Sequence, residues 1–245
     1  MGLLFTYVYT NTIFVNMEIY ISIDGVIRNL IQKFNYHYVD YYLDSDEIGE
    51  KLDAETGEVI KVEDENFEYG INEPIQNDNL FNHYKFKSKE EFEFFLFLEY
   101  PIEIFGHAGL SYSTAITDLN KFISNNLDHN ITLIGLDEFG KAKPGTLFFL
   151  SKNGVMMNNV KFIKSKNLEK HWNNCDLWIT DNKSIIDLCP TDKTVYKFNT
   201  EYNKFFTNEK EITKLTEIKE TWINTLENNS TLTLIKSSTN VEPQA

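Results

Sequence analysis

Apolar positions along the chain follow two periods, and their alternation gives the first outline of the fold. Ile19, Ile21 and Ile23 lie in a short aromatic and β-branched run closed by Asp24-Gly25, the form of a strand covered on both faces by helices. Asp24 then falls at a carboxyl end, where open α/β sheets bind ligands, and Gly25 lets the chain turn there. Ser88 and Glu91 have capping-box spacing ahead of Phe92, Phe95 and Leu96, which predicts a buried helix. A strand is expected over 102–105. Ile116, Leu119, Ile123 and Leu127 recur at spacings of three and four, the mark of a helix with one buried face. Strands over 131–136, 160–163, 177–180 and 194–198 then alternate with helices opened by Pro144, centred on 168–172 and starting at Lys183. That alternation predicts βαβ units and a parallel sheet. Ile212, Leu215, Trp222 and Leu226 place a docked helix over 207–228.

The rest of the chain reads as additions to this core, which spans 17–206. Residues 1–16 read as an added arm in which Phe5 to Val15 alternates apolar and hydroxyl-bearing side chains, as an edge strand or a strand lent to a neighbouring subunit would. Between about 36 and 87 the sequence turns acidic and rich in turn residues, with a hairpin expected over 51–60 around Thr56-Gly57, so this block reads as an insertion. Residues 229–245 are polar and read as a flexible tail.

Charge narrows the partners. Thirty-seven acidic against twenty-three basic residues give a net charge of −14, which repels nucleic-acid phosphates and anionic membrane surfaces, and the lysines are dispersed. Cys175 and Cys189 are the only cysteines and have no metal-site spacing, so a reducing compartment such as the cytoplasm is expected. No stretch is long and apolar enough to span a bilayer, and the first residues lack the positive charge of a signal peptide.

Candidate chemistry gathers at the ends of predicted strands. Ser22 and Asp24 follow the first, Lys143 precedes Pro144, and Asp181-Asn182 follow the strand over 177–180. In order and spacing, Ile21-Ser-Ile-Asp-Gly-Val26, Lys141-Ala-Lys-Pro144 and Asp176-Leu-Trp-Ile-Thr-Asp181 resemble the haloacid dehalogenase-like (HAD) superfamily of phosphohydrolases. The segment from Lys143 to Lys152 and the later Trp-Ile-Thr-Asp-Asn are similar to phage-encoded members. The resemblance implies a Rossmann-like HAD core with a parallel sheet and an inserted, acidic, cap-like segment. It also implies that Asp24 matches the family's general acid, Lys143 its phosphate clamp, and Asp181, with Asp176 as a second choice, its Mg²⁺-holding site.

Two positions depart from the family pattern. Ser22 stands where the family has its nucleophilic aspartate, and a neutral hydroxyl without an adjacent base is a poor nucleophile and a poor ligand for a hard cation. The strand over 131–136 ends in Asp137, where a phosphate-holding Thr or Ser is expected and a carboxylate would repel phosphate. Together these losses remove attack and electrostatic stabilisation, the sources of most of the rate in phosphoryl transfer. The expectation is therefore a non-catalytic HAD-type protein acting as an assembly module, most concretely a phage virion component of the neck or tail. It would need no cofactor, and its partners would be other protein subunits. Two alternatives stand beside it: a Mg²⁺-dependent phosphatase using Asp24, Lys143 and Ser22 in altered roles, and a phosphate-ligand binder without turnover. Each survivor also has a plain structural role open to it. Asp24 can cap its own turn, Lys143 can be surface charge, Asp181-Asn182 can cap the next helix, and His107 can be a structural histidine near the crevice.

Overall fold

The computed structural model describes residues 16–44, 50–52, 59–61, 80–84, 86–156 and 159–218. Its centre is a six-stranded parallel sheet made of β1 (Glu18–Ser22), β6 (Asn130–Leu136), β7 (Val160–Ile163), β8 (Leu177–Thr180), β9 (Thr194–Phe198) and β10 (Glu211–Ile212). The spatial order is β10-β9-β8-β1-β6-β7. The chain runs outward from β1 through β6 to β7, returns to the other side of β1 at β8, and runs outward again. This is the doubly wound, Rossmann-like arrangement, and its switch point lies between β1 and β8.

The strand periodicity assigns alternate residues to two apolar layers. Ile19, Ile21, Ile131, Leu133, Leu177 and Ile179 face one side, against Leu119 and Phe122 of α5 (Ala115–Asn125) and Phe149 and Leu150 of α6 (Ala142–Lys152). Tyr20, Ile134, Trp178 and Val195 face the other, against Leu168 and Trp172 of α7 (Leu168–Trp172) and Ile185 of α8 (Lys183–Asp187). Burial on both faces explains why these strands read as near-continuous apolar runs.

Between β2 (Arg28–Asn29) and β5 (Gly109–Leu110), which pair antiparallel, the chain leaves the sheet. The described parts of this excursion are α1 (Ile31–Asp44), the hairpin of β3 (Glu50–Leu52) and β4 (Val59–Lys61), α2 (Leu80–His83), α3 (Lys89–Phe94) and α4 (Pro101–Gly106). A π-helical turn, Phe95–Glu99, continues α3. An aromatic cluster that includes Phe34, Tyr38, Tyr84, Phe86 and Phe95 holds the helices together, with Phe34 and Phe95 centroids 5.1 Å apart. The change of composition at residue 36 falls inside α1. The expected hairpin is present as the β3–β4 pair, while its Thr56-Gly57 centre lies outside the described residues, as do residues 1–15, Trp222, Leu226 and residues 229–245.

Ser88 caps α3 as expected, its Oγ accepting from the Glu91 N–H at 3.2 Å, although the Glu91 carboxylate reaches back to the Lys87 N–H rather than to Ser88's own. Two expectations are corrected. The strand over 102–105 is instead α4, because Pro101 occupies the first helical turn and Ile104 and Phe105 are buried on one helical face. The helix begun at Ile212 and Leu215 is instead β10, which adds to β9, followed by a 3₁₀ turn, Leu215–Glu217; both apolar side chains still join the core.

Helices α4 and α6 approach at backbone distance. A Cβ on Gly145 would lie 2.9 Å from the Pro101 carbonyl oxygen and 3.1 Å from the Gly106 nitrogen. Gly145→Ala is expected to destabilise the fold by about 1–3 kcal/mol, the cost of overpacking a tight contact. Urea unfolding measures it, and an unchanged midpoint would show that this contact is slack.

Candidate functional site

The switch point places the carboxyl ends of β1 and β8 side by side, and the predicted residues divide around it. After β1 the chain makes a tight hydrogen-bonded turn, with the Ile27 and Arg28 N–H groups both donating to the Ile23 carbonyl at 3.0 and 2.9 Å. The turn passes through Gly25 at φ +78°, a conformation that suits glycine, and a Cβ there would stand 1.9 Å from the Asp181 carboxyl group. Asp24 and Asp181 are thus brought together by a residue that has no side chain. Beside them is a cavity of about 150 Å³, lined by Ser22, Asp24, Asp181, Asn182 and Tyr202 and by apolar side chains that include Leu80 of α2.

Ser22 is 7% exposed, and both uses of its hydroxyl are internal. It donates to Thr180 Oγ1 at 2.8 Å and accepts from the Trp178 indole N–H at 3.2 Å. Thr180 Oγ1 also accepts from the Asn182 N–H at 3.2 Å. Neither side-chain partner of Ser22 is a base.

Asp24 is held by Arg28, four residues on. The guanidinium Nε and Nη2 lie 2.7 and 2.6 Å from Asp24 Oδ1, while Nη1 donates to the Phe105 carbonyl at 2.6 Å and to Thr146 Oγ1 at 3.0 Å. The guanidinium is 1% exposed and also lies over the rings of Phe105 and Phe149, at 5.2 and 5.4 Å from their centroids. Arg28 was not among the sequence candidates, yet a signal existed: it is the only arginine among the chain's twenty-three basic residues.

Asp181 Oδ2 accepts from the Tyr202 hydroxyl at 2.9 Å. Asn203 ties the same loop down, donating to the Phe198 carbonyl at 2.8 Å and to the Asp181 carbonyl at 3.2 Å. Burial first, and then the Asp181 and Asp24 carboxylates, push the Tyr202 phenol well above the usual tyrosine range. Asn182 caps α8, accepting from the Ile185 N–H at 3.2 Å.

The remaining candidates lie elsewhere. Lys143 is on the exposed side of α6, its Nζ 5.7 Å from the centroid of the Phe162 ring, and it does not line the cavity. Asp176 precedes β8 and so sits at the opposite end of the sheet, where it accepts from the Glu18 N–H at 3.0 Å and pairs with Lys193 at 2.9 Å. Asp137 is buried and anchors the start of α6, its two oxygens accepting from the Lys141 and Lys143 N–H groups at 3.1 and 3.0 Å. His107 is exposed at the end of α4, with its ring against Phe148. Among the described residues no cluster of three or more His, Cys, Asp or Glu side chains is placed to hold a metal ion, and no helix is long and apolar enough to cross a membrane.

No protein-family model matches this chain, and no curated protein matches it significantly. The class its architecture defines is therefore a doubly wound, Rossmann-like α/β protein.

Arg28 is buried and Asp24 only partly so, and Arg28→Met is expected to destabilise the protein by about 1–3 kcal/mol through the hydrogen-bond partners it leaves unmet, with the double variant Asp24→Asn/Arg28→Met recovering part of the loss. Urea unfolding of the three proteins tests this, and simple additivity would refute the coupling. A second expectation concerns pH. The folded state binds the Tyr202 proton more tightly than the unfolded chain, so that contribution is complete below the ordinary tyrosine value of 10.0 and is lost as pH rises above it. The unfolding midpoint should fall more steeply above that pH in the natural protein than in Tyr202→Phe.

Proposed function

We propose that the chain is a HAD-type protein whose crevice has lost its chemistry and whose fold is kept as an assembly module, with the excursion between β2 and β5 standing where the family carries its cap. The observation that carries this reading is the Asp24–Arg28 pair. In the family the aspartate two residues after the nucleophile works as a proton donor beside a bound cation. Here one of its oxygens faces two guanidinium nitrogens within 2.7 Å. A fixed positive charge at that distance opposes a divalent cation and occupies the oxygen that would have to meet one.

The other positions support the same reading. Ser22 gives its proton to Thr180 and accepts from Trp178, leaving no base to activate it. Asp181 Oδ2 takes the Tyr202 proton donor. A hard cation such as Mg²⁺ needs several anionic or water oxygens in near-octahedral array, and here Asp24 Oδ1 and Asp181 Oδ2 are already taken by Arg28 and Tyr202, which disfavours one. Among the described residues that line the cavity two are carboxylates and none is cationic, so a phosphate bound there would meet like charge. The alternatives of an active phosphatase and a phosphate binder are the less supported readings on these grounds.

For the assembly role, the similarity of the segment from Lys143 to Lys152 and of Trp-Ile-Thr-Asp-Asn to phage-encoded HAD-like proteins points to a virion component of the neck or tail. Synthesis in the host cytoplasm and protein subunits as partners go with that role. A scaffold outlasts its chemistry, so fold by itself argues for no activity.

Phosphate release from a panel of nucleotides and small phosphate esters with Mg²⁺ tests the catalytic half. The natural protein and Ser22→Asp are both expected to stay at the buffer rate, because Arg28 still holds Asp24 in the variant. Turnover by the natural protein that Asp24→Asn abolishes would overturn the reading. Mass spectrometry of gradient-purified particles tests the other half, with peptides of this chain expected in the virion and absence from it counting against the assembly role.

A further inference from the structure

A second, larger cleft of about 1090 Å³ opens between the excursion and the carboxyl ends of β9 and β10. One wall comes from the excursion, through Asn29 of β2, Asn35 of α1 and His83 of α2. The other comes from β9, β10 and the loop that joins them, through Lys197, Lys204 and Glu211. Only Gly25, Ile31 and Tyr202 belong both to this lining and to that of the switch-point cavity. A concavity of this size outside the carboxyl ends of parallel strands is where α/β proteins hold small ligands.

The hydrogen-bonding capacity that the lining has left decides the ligand. Its acceptors are largely consumed within the chain. Glu211 Oε1 accepts from the Asn208 N–H at 2.8 Å and from Lys197 at 3.3 Å, and Oε2 accepts from Asn199 Nδ2 at 3.0 Å. The Asn29 side-chain oxygen accepts from the Ile31 N–H at 2.9 Å, and that of Asn35 from the Tyr84 hydroxyl. Donors remain. The amide nitrogens of Asn29 and Asn35 and the ammonium groups of Lys204 and Lys214 all belong to the lining and have no partner among the described residues. Lys197 does not join them, since it is 2% exposed and held by the Phe206 carbonyl, by Glu211 and by the Phe206 ring at 4.6 Å. Glu201 is the one lining carboxylate without a partner among the described residues. In a chain with a net charge of −14 this is a local reversal of sign, and the switch-point cavity, lined by two carboxylates and no cation, has the opposite bias. Carboxylate and phosphate oxygens are acceptors only, and their charge-assisted bonds to such donors are the strong ones. One such group leaves most of the volume unfilled, so a ligand that meets both walls carries more than one.

We propose that this cleft binds a small polyanion, a molecule bearing two or more oxyanion groups, held by Asn29 and Asn35 from one wall and by Lys204 and Lys214 from the other. The inference goes beyond the assembly reading and does not depend on it, because it assigns binding without turnover at a place apart from Asp24 and Asp181.

Isothermal titration calorimetry of the full chain with tripolyphosphate and with citrate tests it, with circular dichroism to confirm that every variant is folded. Saturable binding of at least one probe is expected, tripolyphosphate alone assigning phosphate oxygens and citrate alone assigning carboxylates. Lys204→Gln/Lys214→Gln is expected to weaken binding by at least about tenfold, whereas Lys164→Gln/Lys166→Gln, the same change of charge at exposed positions outside the cleft, leaves it within about twofold. Asn29→Asp keeps an oxygen for the Ile31 N–H but exchanges the amide donor for an acceptor, and is expected to weaken binding by about fivefold or more. Glu201→Gln removes the free like charge and is expected to strengthen it by about twofold or more. No saturable binding of either probe, equal losses in the two lysine pairs, or binding indifferent to both Asn29→Asp and the cleft lysines would overturn the site.

Discussion

The Arg28 guanidinium occupies a position that most of the surrounding structure exists to satisfy. A buried guanidinium costs several kcal/mol unless its donors are matched, and here they are matched by three separate parts of the chain: the turn after β1 through Asp24, α4 through the Phe105 carbonyl, and α6 through Thr146. The Phe105 and Phe149 rings cover its faces. Because α4 and α6 each supply a polar atom to the same planar group, they must meet closely, and Gly145 and Gly106 permit the approach. One cation thereby fixes the seam between the excursion and the sheet. Such a pair is weak evidence for net stability against a well-packed apolar replacement; it ties α4 to α6 by taking one polar atom from each.

The same economy governs the switch point. Doubly wound sheets leave polar groups unpaired where the strand order reverses, and that is what makes the position a ligand site. At this switch point the groups turn inward. Ser22, Trp178 and Thr180 form a chain of hydrogen bonds across β1 and β8 that ends on the Asn182 N–H, and Tyr202 reaches from the loop after β9 to Asp181. A buried network of this sort, once satisfied, is rigid and costly to open. A ligand could use the hydroxyls of Ser22 and Thr180 only by giving up these bonds.

Legibility in the sequence followed burial. The strands at 177–180 and 194–198 could be read to the residue because both of their faces are buried and their ends are abrupt. The stretch 102–105 could not, because four apolar residues suit either a strand or a buried helix, and only Pro101 distinguishes them. Ile212 and Leu215 are three apart, a spacing that a short strand followed by a 3₁₀ turn also produces. At the site, Asp24 and Asp181 were found because residues that follow neighbouring parallel strands must emerge at the same end. Asp176 fails by the same rule, since it precedes its strand. Lys143 shows that helix phase, not proximity in sequence, decides where a long side chain goes. Arg28 was missed although it lies four residues from Asp24, because nothing in the sequence shows that the chain folds back at Gly25 in a tight hydrogen-bonded turn.

Composition makes Arg28 more informative than any motif. Every other basic residue in this chain is lysine, so the single guanidinium marks a place where an ammonium group would not serve. The geometry shows why. Nε and Nη2 converge on one carboxylate oxygen while Nη1 points away to a carbonyl and a hydroxyl, and the flat faces meet two rings. A lysine presents three donors from one point, has no flat face, and is more strongly hydrated, so it would lose more on burial and span less. An active crevice needs that carboxylate free to exchange a proton or bind a cation; a structural crevice needs it fixed. On the proposed reading, the one arginine set against that one aspartate meets the second requirement.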